Sequence, residues 1–162
     1  MSEQANQQII LFYQNTPFSQ WFNSPFTIDN INYINAEQYM MAEKARLFKD
    51  DIVLKKIMKT SSPKTIKSLG RKISNFNGSV WDQYKYDIII RGNHAKFSQN
   101  LNLKQFLLTT DNDIIAEASP YDKIWGIGMS SKHPDAYNPK KWKGLNLLGK
   151  ALMEIRDLLK LN

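Results

Sequence analysis

The stretch Ala36-Glu-Gln-Tyr-Met-Met-Ala-Glu-Lys-Ala-Arg-Leu-Phe48 decides how this chain folds. Its apolar residues recur at the three- and four-residue spacing of an amphipathic helix and form two neighbouring strips. The strips consist of Met41, Ala45 and Phe48, and of Ala36, Met40 and Leu47. The pattern therefore predicts one helix facing a core, with a polar far side made of Tyr39, Glu43 and Arg46.

Two charged residues, Glu37 and Lys44, lie between these apolar strips instead of opposite them. Seven residues at about 100° each amount to roughly 700°, so the two side chains share a face within about 20°. A carboxylate and an amine at core positions lower stability unless they are paired or used. They are the first candidates for chemistry, although a solvated pair at the edge of a cleft would give the same pattern.

The composition limits the class of protein. With 162 residues, 42% of them hydrophobic, the chain is expected to form a single domain over 1–162, with residues 1–8 disordered. The chain has no cysteine, which excludes disulfides, thiolate zinc sites and a cysteine nucleophile. His94 and His133 are its only histidines, so we expect no metal site, and we also expect no cofactor.

The net charge of +7 favours an anionic partner, such as a phosphate ester, a dinucleotide or nucleic acid. Much of it comes from lysine runs, which are also typical of solvated surfaces. These lysines are Lys55, Lys56, Lys59, Lys64, Lys67, Lys72, Lys140, Lys141 and Lys143. The start of the chain does not look like a signal peptide, and no run approaches the roughly 18 apolar residues of a membrane span. We expect a cytoplasmic protein without membrane contact, monomeric by default.

The remaining patterns predict an α+β, predominantly helical fold: a short N-terminal strand and a β-hairpin packed on a helical core. Strands are predicted at 9–13 and 114–117, and a hairpin at 26–34 around the turn Asp29-Asn30. Further helices are predicted at about 50–59, 63–70, 79–99, 103–108 and 147–159. The segment 120–139 is rich in Gly, Ser, Pro and Lys and is predicted to be irregular, which in a compact domain is typical of a functional or mobile loop.

Several boundaries carry capping signals. Ser62 with Pro63 begins one helix and Gly70 closes it, while Ser79 and Asp82 have the spacing of a capping box. The inner face of the helix after the box is predicted to be Trp81, Tyr84, Ile88 and Ala95. The stripe of the last helix is Leu148, Ala151, Leu152, Ile155 and Leu159.

Two glycine-containing segments are further candidates for binding. In Tyr121-Asp-Lys-Ile-Trp-Gly-Ile-Gly128, the glycines allow close backbone approach and Trp125 offers a flat face, although a flexible turn would look the same. One turn would bring Asp122 and Trp125 into one pocket. Gly144-Leu-Asn-Leu-Leu-Gly149 begins the last helix, where free N–H groups bind phosphate or Asn146 acts as a cap. Arg71, at a helix end, is a candidate phosphate clamp or a surface residue.

These motifs occur in one order, and together they closely resemble the NADAR superfamily, the YbiA-like N-glycosidases. The resemblance extends from about Ile10 to Leu158. The matching motifs are Ser19 with the hairpin from Phe26, Glu37-x-Tyr-x-x-Ala-x-Lys44, Leu69-Gly-Arg71, Trp81-Asp82, Ala95-Lys-Phe97, Glu117, Asp122-x-x-Trp-Gly-x-Gly128 and Gly144-x-Asn-x-Leu-Gly149.

The resemblance implies a hydrolase of the N-glycosyl bond between ribose and a base. It implies two substrate classes: ribosylamino-pyrimidine phosphates of early riboflavin synthesis, and ADP-ribose attached to guanine in nucleotides or nucleic acid. The implied catalytic residues are Glu37, Lys44, Asp122 and Trp125. The implied substrate-binding residues are Ser19, Arg71, Trp81, Gly126, Gly128 and Asn146.

Two mechanisms and one rival function follow. A carboxylate such as Glu37 or Asp122 would stabilise positive charge on the sugar and serve as acid or base; alternatively, Lys44 would take over the sugar as a Schiff base. The rival is a module that binds ADP-ribose or NAD without cleaving it. The chain departs from the family pattern at Gln38, Met40 and Met41, at Gln20 and Trp21, and at Thr110, so the substrate is less defined than the reaction.

Overall fold

Helices dominate the secondary structure. The computed structural model describes residues 6–162, and its elements confirm the predicted α+β, predominantly helical class. In chain order they are β1 (Ile9–Phe12), β2 (Phe26–Ile28), β3 (Ile31–Tyr33), α1 (Ala36–Leu47), α2 (Asp51–Lys59), α3 (Pro63–Gly70), α4 (Gly78–Gln99), α5 (Leu101–Leu108), β4 (Ile114–Glu117) and α6 (Leu147–Lys160), with a 3-10 turn at Pro139–Lys141 before α6. Among residues 6–162, none of these helices has both the length and the apolar character needed to cross a membrane.

The chain divides into two compact units. The middle unit is Gln20–Lys104, and the terminal unit is Met1–Ser19 with Gln105–Asn162. Of the N-terminal residues predicted to be disordered, Met1–Ala5 lie outside the described part of the chain. Gln7 and Gln8 hydrogen-bond to Asn112 and Asp113 of the terminal unit.

Helix α1 lies at the core of the middle unit, where it packs against α2, α3, α4 and β3. Asn35 begins it by accepting a hydrogen bond from the backbone N–H of Gln38. All residues from Ala36 to Ala42 are buried. The prediction that Tyr39 lies on a polar far side is therefore wrong, because neighbouring elements surround the helix and leave Tyr39 only 1% exposed.

The predicted β-hairpin is confirmed. Strands β2 and β3 pair antiparallel, with Phe26 opposite Tyr33. Asp29 and Asn30 form the two-residue turn, and both have the positive φ that such turns require. Phe26 and Tyr33 contact the ring of Tyr39, so the hairpin is anchored on α1.

Two predictions about the ends of α3 and α4 need correction. Ser62 caps α3 as predicted, but Gly70 is its last helical residue and Arg71 occupies the C-cap position. A Cβ at Gly70 would force the side chain of Met41 to move. Helix α4 is capped by Asn77, whose side chain accepts from Val80, instead of by a box beginning at Ser79.

The predicted inner face of α4 is also partly wrong. Tyr84 is 44% exposed, whereas Ala95 is buried as predicted. The buried face consists of Ile89, Gly92, Asn93, Ala95, Lys96 and Phe97. The second half of α4 thus supplies the core, and two of its buried residues are polar.

In the terminal unit, β1 pairs parallel with β4 in the register Ile9 to Ile114. Helix α6 packs on β4, and every residue of its predicted apolar stripe is buried, which confirms that stripe. The segment between β4 and the 3-10 turn has neither helix nor strand, as predicted.

Candidate functional site

Glu37 is buried in the first turn of α1, with only 4% of its surface exposed. Its backbone N–H donates to the carbonyl oxygen of Gln20 at 3.0 Å. The N-terminal end of a helix carries partial positive charge, which favours a carboxylate there. The structure thus holds an acidic group inside the core of the middle unit, as the sequence pattern predicted.

Two turns further along α1, the half-buried Lys44 points its amine at the end of α3. The Nζ atom donates a 3.0 Å hydrogen bond to the carbonyl oxygen of Gly70. It also lies 4.6 Å from the ring centre of Phe76 and 5.5 Å from that of Trp81. One backbone oxygen and two aromatic faces therefore surround the amine.

This environment changes the acidity of Lys44. Burial is the main cause of a pKa below the ordinary value, Glu37 opposes the shift, and Arg71 adds to it. A buried ammonium loses hydration that two aromatic rings replace only in part, so the charged form is less favoured than it is in water. The lysine combines two features that an amine nucleophile requires, a fixed position and a lowered pKa.

Arg71 and Trp81 are the other predicted site residues of the middle unit. Arg71 follows α3 and is exposed, yet near enough to Lys44 to influence its charge. Trp81, in the first turn of α4, is half-buried against the amine. The structure brings Lys44, Arg71 and Trp81 together at neighbouring ends of α1, α3 and α4, while Glu37 lies in the first turn of α1, near enough to influence the charge of Lys44.

Sequence reasoning missed two members of this group. Phe76 lies in the loop before α4 and is 49% exposed, and no helical or strand period marks it. Gly70 was predicted as a cap, but its carbonyl oxygen receives the lysine. For Gly70, the available sequence signal was the Gly-Arg pair at the end of a helix.

In the terminal unit, Asp122 and Trp125 share one turn, as predicted. The Asp122 Oδ1 atom accepts hydrogen bonds from the backbone N–H groups of Ile124 and Trp125, at 2.9 and 2.8 Å. Trp125 is half-buried, and its carbonyl oxygen accepts from the first turn of α6, at Leu148. The turn is therefore fixed at both ends by hydrogen bonds to its side chain and backbone.

The glycines that follow are buried between backbone segments. Gly128 has φ +73°, a conformation that favours glycine, and a Cβ there would lie 3.2 Å from the backbone nitrogen of Gly144. Gly126 is similarly close to the carbonyl oxygen of Glu117. Close backbone packing within the terminal unit accounts for both glycines.

Asn146 and Ser19 complete the predicted set. Asn146 precedes α6 without capping it: its Oδ1 accepts from Glu117 N–H at 3.1 Å, and its Nδ2 donates to the carbonyl oxygen of Ile115 at 3.0 Å. It thus joins α6 to β4. Ser19 is 9% exposed, and its backbone N–H donates to Thr16. Among residues 6–162, no three His, Asp or Glu side chains are grouped so as to hold a metal ion.

Comparison with known proteins identifies the family. A sequence model described as the NADAR domain matches residues 11–160. The chain belongs to the NADAR domain family. It is 51% identical over 146 residues to N-glycosidase R617 of Acanthamoeba polyphaga mimivirus, covering 86% of this chain and 85% of that protein. It is 30% identical over 155 residues to N-glycosidase YbiA of Escherichia coli (strain K12), covering 93% and 88%.

A solved structure agrees with this assignment. The NMR structure of the E. coli protein YbiA superimposes with a TM-score of 0.79 at 29% identity, covering 96% of this chain and 86% of that one. Both of these relatives, and one from Nostoc punctiforme, carry the name N-glycosidase. This NADAR protein is accordingly an enzyme, a hydrolase that acts on N-glycosyl bonds.

Proposed function

We propose that this NADAR enzyme cleaves the bond between ribose and a base in a phosphorylated, nucleotide-like substrate. Two substrate classes follow from the family resemblance: ribosylamino-pyrimidine phosphates of early riboflavin synthesis, and ADP-ribose attached to guanine. The observation that carries the proposal is the position of Lys44, held by the Gly70 carbonyl oxygen between Phe76 and Trp81. A binding module would need no amine in such a place.

Lys44 is proposed to act as a nucleophile. An N-ribosyl aminal opens when the bond from C1′ to the ring oxygen breaks, which leaves an imine to the base nitrogen and a proton on the former ring oxygen. The neutral amine adds to C1′, and the base leaves as a free amine with its proton, so the lysine holds the sugar as a Schiff base. Water then adds to C1′, releasing ribose and restoring the amine. The lowered pKa of Lys44 supports this step because it raises the neutral fraction.

Glu37 is proposed to move protons in the same reaction. Glu37 is buried in the first turn of α1, and its carboxyl is near enough to Lys44 to influence the charge of that amine. Such a group protonates the departing base and later activates water. The competing mechanism uses Glu37 or Asp122 to stabilise a cationic sugar, and water attacks without a lysine adduct.

The surface charge supports a phosphate-bearing substrate. Arg71 is exposed next to Lys44, and α2 and α3 carry exposed lysines in the same unit. These are Lys55, Lys56, Lys59, Lys64, Lys67 and, after α3, Lys72. Cations grouped in this way attract phosphate esters from solution.

The test is a side-by-side incubation of the purified enzyme with ADP-ribosylated guanosine and with the ribosylamino-pyrimidine phosphates. Release of free base from one class and not the other identifies the substrate. Tight binding of both without base release would favour a module that recognises ADP-ribose or NAD. Sodium borohydride added during turnover traps a Schiff base, so a mass increase on Lys44 supports the covalent route and its absence supports direct hydrolysis.

Two further experiments extend this test. Glu37→Gln should lower the rate by about 10²- to 10⁴-fold, as for loss of a general acid–base group; full activity would remove Glu37 from the mechanism. Activity on ADP-ribosylated duplex DNA should fall steeply with added salt if phosphates of a polymer bind the lysines. Insensitivity to salt would favour a free nucleotide.

A further inference from the structure

Two carboxamides near Glu37, the fully buried Asn93 and the half-buried Gln20, are not explained by the mechanism above. Asn93 is fully buried in α4, and its Nδ2 donates to the Oε1 atom of Gln20 at 2.8 Å. The backbone carbonyl of the same Gln20 accepts the N–H of Glu37. We call Gln20 and Asn93 the carboxamide pair. Within the pair, Gln20 therefore contacts the candidate acid–base residue Glu37 directly, and Asn93 contacts Gln20.

A second contact fixes the position of the pair. Gly92, which precedes Asn93, lies against the ring of Tyr39, two residues after Glu37. A Cβ on Gly92 would come 2.5 Å from Cδ1 of that ring, so α4 and α1 are in close contact at this level. The carboxamide pair thus lies beside the first turn of α1, where Glu37 is held.

Each amide of the pair has one polar atom left over. Among the described residues, Nε2 of Gln20 and Oδ1 of Asn93 are buried and have no hydrogen-bond partner. Exchanging the O and N atoms does not remove them. Nδ2 of Asn93 also donates to the carbonyl oxygen of Ile89 at 3.0 Å, which fixes this amide's orientation and makes the facing atom of Gln20 an acceptor.

Such atoms are costly to keep. A buried polar group without a partner lowers stability, and most buried polar groups in native proteins are satisfied. Near an acid–base residue, these two atoms are a donor and an acceptor whose hydrogen-bonding capacity is unused. The donor is the N–H of Gln20 Nε2, and the acceptor is Oδ1 of Asn93.

We propose that the carboxamide pair binds the base of the substrate, with Gln20 donating to a ring carbonyl and Asn93 accepting from a ring N–H. This inference rests on the proposed function. Both proposed substrate classes contain this lactam group, –NH–C(=O)–, in the base that is released. The pair would therefore select for a lactam-bearing base and hold it next to Glu37, which protonates its nitrogen on departure.

The test uses Gln20→Met, which removes the free donor and leaves Asn93 bonded to Ile89, and the double variant Gln20→Met/Asn93→Leu. Gln83→Met, an exposed glutamine on α4, is the matched control. We expect kcat/KM to fall about tenfold or more in both variants, mainly through KM, as for a lost hydrogen bond to substrate. Wild type should discriminate against a substrate methylated at the ring N–H, and the double variant should lose this discrimination.

Thermal unfolding separates the binding role from a structural one. Replacing unsatisfied amides by apolar groups of similar shape should leave the unfolding temperature of the double variant unchanged or raise it. Unchanged kinetics with a lower unfolding temperature would overturn the inference and indicate an internal structural pair. If wild type cleaves neither substrate class, the proposed function fails, while the unfolding result still decides whether the pair is kept for stability.

Discussion

The Nζ atom of Lys44 donates a hydrogen bond to the carbonyl oxygen of Gly70, 3.0 Å away at the end of α3. The last carbonyl groups of a helix have no partner within the helix and carry partial negative charge. They can therefore fix an amine by a hydrogen bond, and their partial charge stabilises the ammonium less than the full charge of an adjacent carboxylate would. This contact positions Lys44 and is compatible with the lowered pKa that a nucleophile needs.

The first prediction concerns the identity of the amine. Lys44→Arg keeps a cation in place but provides no neutral nucleophile, since arginine remains charged at all ordinary pH values. If the lysine is covalent, kcat should fall by at least about 10³-fold and the borohydride adduct should disappear. Lys85→Arg, on the half-buried Lys85 of α4, is the control. Near-normal turnover in Lys44→Arg would exclude the Schiff base.

The second prediction concerns Phe76, whose ring lies 4.6 Å from the amine. Because burial is the main cause of the lowered pKa of Lys44, Phe76→Ala should admit water and raise that pKa toward its ordinary value. The rising limb of the kcat/KM profile, which reports deprotonation of the free enzyme, should then move to higher pH. Tyr84→Ala, another exposed aromatic, should leave the limb in place, and an unmoved limb in Phe76→Ala would contradict the assignment.

The third prediction compares two glycines. Gly70→Ala places a Cβ against the Met41 side chain, which has to move within the core, so it should lower the free energy of unfolding by about 1–3 kcal/mol. Gly78→Ala meets no atom within 4 Å and should instead stabilise by about 0.4–1 kcal/mol. Chemical denaturation of the two variants measures whether each substitution lowers or raises the free energy of unfolding. Equal stability would show that the Gly70–Met41 contact is relaxed at no cost.

Much of the fold follows from local pattern. The hairpin around Asp29-Asn30 and the stripe of α6 are readable because each has one buried face and one exposed face. The sequence failed where an element has no exposed side. Tyr39 is buried because four elements surround α1, and no pattern within a single helix contains that information.

In the candidate site, too, some residues could be predicted from the sequence and others could not. Glu37 and Lys44 were visible as charges within an apolar arc, and the structure buries the first and half-buries the second. The partners of Lys44 were not visible, because Gly70 and Phe76 reach it through the ends of other elements. The carboxamide pair was also missed. In sequence, a buried asparagine in a helix resembles a surface one, and Gln20 lies in a turn that has no periodic pattern.

The fourth prediction concerns Asn146, whose amide bridges Glu117 and Ile115 of β4 and whose φ is +52°. Asn146→Gly keeps the backbone conformation accessible but leaves two backbone groups without partners, so it should cost about 1–3 kcal/mol of stability. Asn146→Ala should cost about 1–2 kcal/mol more, because alanine is disfavoured at positive φ. Urea denaturation distinguishes the two, and a stable glycine variant would show that the bridge contributes little.

The fifth prediction concerns Lys96, which is fully buried in α4 with its Nζ 5.9 Å from the ring centre of Phe22. Burial lowers its pKa to about 7. The unfolded chain therefore binds more protons than the folded protein between about pH 7 and the ordinary lysine value near 10.4, and stability should rise with pH across that window. The cost of the buried lysine is fully present below pH 7 and disappears as the amine becomes neutral in both states.

Lys96→Met, of similar shape and without charge, removes this dependence. We expect the variant to be more stable than wild type at pH 6 and the difference between the two to shrink steadily toward pH 10. The difference cancels groups that titrate in both proteins, including Lys44, whose pKa is also lowered. Lys150→Met, at an exposed lysine of α6, is the matched control. A pH-independent difference between Lys96→Met and wild type would mean that Lys96 keeps its ordinary acidity in the folded protein.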